Sequence, residues 1–403
     1  MRILIVHREY PPETGWGGIA TFNFHLAQGL RELGHEVHVL CFNLETPSDT
    51  IKDGIRVIRV VNYVKTMPWD SSFFYYFYLY QLKLWRTFKE LHRESPYDVV
   101  DCADHLGEGY GIIGSGIVPT TLRFYTPWAW QSTRSLNYRE RWYDIYGIRW
   151  LESRSVLNAH CLTCPSRDLS ERVTEFFDLR RPVEIIENPI DSEWFSPGEP
   201  LSEDTIRVLF LGRLEPRKGP DILVRAIPRI CQEVNNIEFC LIGSDCPSLN
   251  SASTRAELRS FLDSEGVINR VTFQDPVPLL DLPKWYNSAH IVVVPSRYDN
   301  SPYSCLEAMS CGKAVVATEA GGAKEYLDYG KAGLLFPSED CDALADAVIQ
   351  LAKDRALREK LGERARQRVR ERFDRTVIAS RMCLLYERAI EIHGRRQQGD
   401  RQI

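Results

Sequence analysis

Asp299 and Glu307 are the two carboxylates of PSRYDNSPYSCLEAMSCG (295–312), and their setting points to chemistry on a charged, hydroxyl-rich ligand. The apolar run 291–294 before them reads as a strand, and Ser301 with Pro302 reads as an N-cap and first helical residue. A helix beginning there turns its first backbone amides into the loop, where an anion can bind. Asp299 in the loop and Glu307 inside the helix would flank a phosphate and accept hydrogen bonds from sugar hydroxyls. The segment suits a nucleotide sugar.

Two cations have a related setting. LGRLEPRKG (211–219) places Arg213 and Lys218 between a strand and a helix. Alone they would read as solvated surface charges. Next to the acid pair, they are placed to neutralise the phosphates of a departing nucleoside diphosphate, a task that otherwise falls to a metal ion. No metal is then required. Gly15, Gly17 and Gly18 in PPETGWGGIA (11–20) would let a ligand approach backbone amides between the first strand and first helix. Their spacing is not G-x-G-x-x-G, and the second strand runs into Cys41, Phe42 and Asn43 without the acid of a dinucleotide site. That disfavours an NAD enzyme. Asp340 and Asp342 form a D-x-D, but they precede ALADAVIQL and read as helix N-terminal acids. Cys161 and Cys164 form a C-x-x-C within an apolar strand pattern, with no second pair to complete a zinc site.

These residues need two sheets to hold them. A chain of 403 residues exceeds what one core usually supports, so two domains of roughly 150 to 200 residues are expected. From residue 2 onward, β-rich runs (RILIV, EVHVL, IRVIRVV, DVVD, PTTLRFY, HCLTC, VEII) alternate with helical patterns, giving a Rossmann-like first domain over 1–187. NPIDSEWFSPGEPLSEDT (188–205), rich in prolines and acids, reads as a linker. A second parallel α/β series follows over 206–374, with strands at IRVLFLG, IEFCLIG, RVTFQ, HIVVVP and KAVVAT. After residue 340 the pattern is helical, ending in a helix at 375–393 that would pack back on the first domain and a frayed polar tail at 394–403. Ligands in such sheets bind at the strand C-terminal ends, so the site is expected in a cleft between the domains.

Composition excludes several classes. A net charge of −5 with dispersed basic residues gives no footprint for nucleic acid, and no protein partner is indicated. Eleven cysteines, an odd number in apolar contexts, argue against a disulfide framework and for a reducing, cytoplasmic compartment. The opening apolar run is too short for a signal segment, and no stretch approaches the roughly 18 apolar residues of a membrane helix. The chain is therefore expected to be soluble.

Read in order, the Gly17–Gly18 loop, LGHEVHVL (33–40), IENPID (186–191), LGRLEPRKG, PSRYDNSPYSCLEAM, AGGAKEYL (320–327) and AGLLF (332–336) resemble a family 4 retaining glycosyltransferase of GT-B architecture, nearly end to end. The resemblance implies that Arg213 and Lys218 hold the donor diphosphate, Glu307 the ribose hydroxyls and Asp299 the transferred sugar. Gly17 and Gly18 would approach the phosphate, and Asn300, Ser301, Tyr303 and Ser304 would line the donor, except that Pro302 has no N–H to offer. Glu325 would be a further acid near the donor. Two departures stand out. The family usually has Glu where this chain has Asp299, which leaves donor identity open. It commonly has His at the position of Tyr125 in PTTLRFYTPW (119–128), where a phenol with a reference pKa of about 10 is a poor base and would act as a positioner. His105 in DCADHLGEG (101–109) is an alternative polar group, the other reading being a strand-end histidine satisfied by its neighbours.

The aromatic run 67–85, together with Trp128 and Trp130, falls in the domain that the resemblance assigns to the acceptor. It reads either as a core helix with aromatic edges or as a face that stacks on sugars and shelters lipid, with weak peripheral membrane association as a hypothesis. The resulting expectation is a metal-independent retaining enzyme with no cofactor. It would move a hexose from a UDP- or GDP-linked sugar to a glycan, lipid-linked or small-molecule acceptor. The alternatives are a catalytically silent nucleotide-sugar-binding protein, motivated by Tyr125 and Asp299, or another GT-B enzyme such as a phosphorylase or epimerase.

Overall fold

The computed structural model describes residues 1–11, 17–43, 46–61, 73–128, 130, 142–247 and 253–400. Gly15 and the 67–72 part of the aromatic run lie outside the described residues. The elements in order are β1 (Arg2–Val6), α1 (Gly18–Glu32), β2 (Glu36–Asn43), β3 (Ser48–Lys52), β4 (Ile55–Val61), α2 (Phe73–Glu94), β5 (Val99–Ala103), α3 (Tyr110–Ser115), β6 (Thr120–Arg123), α4 (Trp142–Asn158), β7 (Cys161–Cys164), α5 (Arg167–Phe177) and β8 (Glu184–Ile185). There follow β9 (Ile206–Leu211), α6 (Pro220–Glu233), β10 (Ile237–Ile242), α7 (Thr254–Ser264), β11 (Val271–Gln274), α8 (Leu282–Asn287), β12 (Ile291–Val294), α9 (Tyr303–Ser310), β13 (Ala314–Thr318), α10 (Ala323–Tyr326), β14 (Leu334–Phe336), α11 (Cys341–Lys353), α12 (Arg355–Arg372) and α13 (Arg375–Asp400). The chain divides into two compact units, Met1–Pro189 with Arg375–Ile403, and Ile190–Asp374.

In the first unit one eight-stranded sheet runs β3-β4-β2-β1-β5-β6-β7-β8. Only β3 is antiparallel, joined to β4 through Asp53 and Gly54, both at positive φ (49° and 75°), as a two-residue hairpin turn requires. β1, β5 and β6 are buried and largely apolar because helices cover both faces of a parallel sheet, with Asp101, Thr120, Thr121 and Arg123 as buried polar exceptions. Leu4, Val100 and Leu122 are fully buried with Phe77, Tyr80, Leu84 and Phe88 of α2, so the described part of the aromatic run is chiefly a core helix. Tyr75 and Tyr78 are its exposed members. β1 pairs with β2 on one side and β5 on the other, so the strand order reverses direction between β1 and β5. A crevice opens at such a switch point.

α13 belongs to this unit. Ile378, Ala379, Met382, Leu385, Tyr386 and Ala389 form its buried stripe, and Arg375 grips Glu32 with two hydrogen bonds of 2.6 and 3.0 Å. The expected frayed tail is corrected here, because α13 continues to Asp400. Its polar residues are good helix formers, His393 Nδ1 meets His160 Nε2 at 3.2 Å, and Arg396 reaches the Asn158 carbonyl at 3.3 Å.

The second unit holds a six-stranded, wholly parallel sheet in the order β11-β10-β9-β12-β13-β14, reversing direction between β9 and β12. The segment expected as a linker over 188–205 is mostly part of this body. Its prolines and acids disguise two anchors, Ile190 and Phe195, which are fully buried against Tyr286, Val292 and Met309. Asp191 Oδ1 accepts from the amides of Glu193 and Trp194, fixing the turn between the anchors. All eleven cysteines are free thiols, with Cys161 and Cys164 buried in β7. No helix among the described residues is long and apolar enough to cross a membrane.

Gly29 is where α13 crosses α1. A Cβ there would lie 2.4 Å from the Arg375 carbonyl oxygen and 3.1 Å from Ala379 Cβ. Gly29→Ala should lower the unfolding free energy by about 1–3 kcal/mol through overpacking, measured by urea denaturation. A neutral substitution would mean that α13 is not held at this distance.

Candidate active site

At the switch point of the second sheet, the loops after β9 and β12 meet. Lys218 ends a short 3-10 turn, Pro216–Lys218, and its Nζ donates to Asp299 Oδ2 at 2.5 Å. Asp299 Oδ1 accepts the Ser301 amide at 3.2 Å, and an Arg217 Nη1 lies 3.8 Å from Oδ2. Burial alone would push the Asp299 carboxyl up, but Lys218 and Arg217 outweigh it and hold the group below its ordinary value. Asp299 is thus a buried, ionised carboxylate. Two glycines permit this approach. A Cβ on Gly219, at φ +68°, would sit 2.0 Å from the Pro295 carbonyl oxygen, and one on Gly321, at φ +72°, would sit 2.1 Å from that of Asp299.

Glu307 lies inside α9 and is almost wholly buried. Its Oε2 accepts from the Tyr286 hydroxyl of α8 at 2.6 Å. Burial raises its pKa to about 7, with the Tyr286 hydrogen bond and the charge of Lys218 pulling the other way. The helix start is one residue later than expected. Pro302 is the N-cap and Tyr303 opens α9, while Ser301 uses its hydroxyl on Tyr326 of α10. Pro302 still lacks the donor its position would otherwise offer, so Tyr303 and Ser304 supply the first helical amides.

The structure brings Lys218, Asp299, Ser301 and Glu307 into one neighbourhood and leaves Arg213 apart. The Arg213 guanidinium is more than half exposed and pairs with Glu215 at 3.1 Å, which Arg217 also engages at 3.0 Å. Asn300 is half-buried in the same loop. Glu325 sits on α10, where its carbonyl accepts from Arg368 at 3.0 Å. Sequence reasoning missed Arg217, Tyr286 and Tyr326. Arg217 is adjacent to Lys218 and was legible in the R-K pair, whereas a tyrosine in an ordinary amphipathic helix carries no mark of its partner.

In the first unit, Gly17 is the N-cap of α1, and a Cβ on Gly18 would meet no atom within 4 Å, so the backbone there is open to approach. Tyr125, just past β6, places its hydroxyl 3.1 Å from Nδ1 of His7, which follows β1. His7 Nε2 in turn lies 4.0 Å from Oδ2 of Asp101, whose carboxylate accepts from Thr121 (2.6 Å) and from Tyr386 of α13 (3.1 Å). Burial lowers the His7 pKa to about 3, so the imidazole is neutral. His7 was another missed residue, and nothing in the short apolar run before it marks its partner. His105 opens a 3-10 turn and is likewise kept neutral by burial, its pKa lowered to about 3. Trp128 packs against the core of the unit, and its backbone amide donates to Glu152 at 2.8 Å. No group of three or more potential metal ligands occurs among the described residues.

Comparison with known proteins places this geometry. Among solved structures, sucrose-phosphate synthase from Thermosynechococcus elongatus aligns over 96% of this chain and 98% of its own, with a TM-score of 0.78 and 22% identity. HepE from Anabaena in complex with UDP-glucose aligns over 96% and 99%, with a TM-score of 0.68 and 18% identity. At such identities the likeness shows the fold, which is the GT-B glycosyltransferase architecture of two parallel-sheet α/β domains. Residues 16–194 match the family model for glycosyltransferase family 4, and residues 192–368 match that for glycosyl transferases group 1. An uncharacterized glycosyltransferase of Methanocaldococcus jannaschii is 27% identical over 98% of this chain and 100% of its own length. A D-inositol 3-phosphate glycosyltransferase of Kribbella flavida is 32% identical over 54% of each, so this chain spans about half of that relative. The chain belongs to the family 4 glycosyltransferases.

With Glu307 taken as the acceptor of ribose hydroxyls, its raised pKa sets a pH window. The ionised carboxylate accepts with both oxygens and more strongly than the protonated acid, so affinity for a nucleoside diphosphate should fall as pH drops from about 8 to about 6. Tyr286→Phe removes a hydrogen bond that favours the charged form, so the fall should shift to higher pH. Calorimetric titration across this range tests both; a pH-independent affinity in the native protein would take Glu307 out of the nucleotide site.

Proposed function

We propose that the protein is a metal-independent, retaining hexosyltransferase that uses a UDP- or GDP-linked sugar and a glycan, lipid-linked or small-molecule acceptor. The observation that carries this reading is the Lys218–Asp299 pair, 2.5 Å apart at the switch point of the second sheet, with Glu307 buried beside it. A cation held against a carboxylate at that edge is poised to exchange partners. When a pyrophosphate enters, the ammonium gains a second anion, and Asp299 has acceptor capacity left for a sugar hydroxyl.

In the proposed reaction the acceptor oxygen bonds to the anomeric carbon as the bond from that carbon to the phosphate oxygen breaks. The acceptor proton passes to the departing phosphate on the same face, which retains configuration. Lys218, joined by Arg213 once it leaves Glu215, would carry the growing phosphate charge, so no Lewis acid is called for. Glu307 fixes the ribose and Asp299 the hexose. Tyr125 acts as a positioner, its phenol held by His7, and the first unit serves the acceptor. HepE, with its UDP-glucose, supports a nucleotide-sugar donor by likeness of fold. A cytoplasmic setting fits the eleven free thiols, and weak contact with a membrane surface fits Tyr75 and Tyr78 on α2.

A panel of UDP- and GDP-hexoses tests the reading. One of them should raise the melting temperature and be turned over to nucleoside diphosphate, with the product's anomeric configuration unchanged by NMR and the rate unaffected by EDTA. Binding without turnover on any acceptor would favour the catalytically silent alternative. Release of free sugar phosphate, or an epimerised donor, would favour another GT-B chemistry. Lys218→Ala should cut kcat by about 10²–10³ with a smaller effect on donor KM. Flotation with anionic liposomes should carry up a minor fraction of the protein, and complete retention in the soluble fraction would remove the membrane part.

A further inference from the structure

Between Val294, the last residue of β12, and Tyr303, the first of α9, the chain has no regular structure, yet Asp299 within it must meet Lys218 from another loop. Irregular chain does not hold a carboxylate to a fraction of an ångström without lateral ties. One side chain supplies several of them. Arg297 presents its guanidinium edge to Asp221, in the first turn of α6, with Nη1 and Nη2 each 2.7 Å from a different carboxylate oxygen. Nη1 also donates to the Pro216 carbonyl at 2.5 Å, and Nη2 to Glu339 Oε2 at 2.9 Å. The Arg297 amide donates to the Arg217 carbonyl at 2.9 Å, one residue from Lys218.

A single residue therefore ties together the loops after β9, β12 and β14. Glu339 adds an independent sign. It is one of the few non-glycine residues at positive φ (69°), a conformation that costs free energy and persists where something holds it. What its carboxylate meets is Arg297, at Nε as well as Nη2. Bidentate guanidinium–carboxylate pairing fixes orientation as well as distance, and the Arg297 side chain is only 27% exposed, so bulk salt screens it weakly.

We propose that Arg297 is a positioning residue for the transfer reaction: by clamping Asp221 and Glu339 it sets the separation of Lys218 and Asp299. This rests on the reading of those two residues as donor ligands. Asp221 and Glu339 are the anchor points, and Arg225, which also pairs with Asp221, keeps that acid partnered when Arg297 is changed. A lysine in place of Arg297 keeps the charge but not the planar fork, so it separates geometry from electrostatics.

The test uses the full chain with Arg297→Lys, Arg297→Ala, Asp221→Asn and Asp299→Asn, after melting curves confirm folding. Two readouts apply. Carbon-13 NMR titration of the Asp299 carboxyl needs no substrate. With the clamp loosened the Lys218 contact weakens, so in Arg297→Lys the value should move up toward that of an ordinary aspartate. Turnover of the nucleotide sugar is the second readout. We expect kcat to fall about tenfold in Arg297→Lys and about a hundredfold in Arg297→Ala, with nucleoside diphosphate affinity changed less, and no further loss when Arg297→Ala is added to Asp299→Asn.

An unmoved Asp299 titration in Arg297→Lys would overturn the proposal. So would losses that multiply in the double variant, or turnover that falls only in step with melting temperature. If the native protein neither binds nor turns over any nucleotide sugar, the functional reading fails instead, and the carboxyl titration still decides the clamp.

Discussion

A carboxylate nine-tenths withdrawn from water and still ionised is the constraint around which the second unit is arranged. Removing an ion from water costs several kcal/mol even after relaxation, and an ion pair recovers that only with close geometry and further hydrogen bonds. Asp299 has both. Lys218 is at 2.5 Å, the Ser301 amide satisfies the other oxygen, and Arg217 adds a more distant charge. Each partner comes from a loop at the C-terminal edge of the sheet. That is why Gly219 must clear the Pro295 carbonyl and Gly321 that of Asp299: a methyl group at either point would push apart the loops that stabilise the charge.

The first unit resolves a similar problem in the opposite way. At its switch point His7, Asp101, Asp104 and Glu108 are buried and His105 is half-buried. There burial dominates: it lowers both histidines to about 3 and lifts Asp101 to about 6, Asp104 to about 7 and Glu108 to about 8. Burial works against the charged form of each of these groups, whereas at Asp299 neighbouring cations outweigh it. The two strand edges therefore offer different chemistry. One carries fixed opposite charges, suited to a pyrophosphate and the sugar attached to it. The other carries hydrogen-bonding groups whose charged forms burial disfavours, the His7–Tyr125 contact among them.

Much of this was legible in the residues. Period and apolar runs marked twelve of the fourteen strands among the described residues closely enough to place Lys218 and Asp299 in βα loops, because the site follows from topology once two parallel sheets are recognised. β3 escaped because its exposed face, SDTIK, lacks the apolar alternation of a strand, although the Asp53–Gly54 pair was the available hairpin signal. The 188–205 segment misled through composition, since two deeply buried residues outweigh many prolines and acids in deciding where a segment packs. Side-chain pairing was the least legible layer. Arg213 and Arg217 are equivalent by residue type and both pair with Glu215, and only the turn at Pro216–Lys218 decides that Arg217 also comes within 3.8 Å of Asp299.

The replacement of the family's usual Glu by Asp299 acquires a physical meaning in this setting. A carboxylate on a shorter stem reaches about one bond less far, so it cannot serve the same sugar hydroxyl from the same backbone position. The Gly322 amide donates to the Asp299 carbonyl at 3.0 Å, and the absent side chain of Gly321 leaves room for that contact. Oδ1 and Oδ2 are each engaged once, by Ser301 and Lys218, and an ionised carboxylate accepts about four hydrogen bonds. Two acceptor positions thus remain while the ion pair stays intact. An aspartate here can hold the Lys218 ammonium and still accept from a ligand hydroxyl, so the shorter acid is compatible with the proposed donor site.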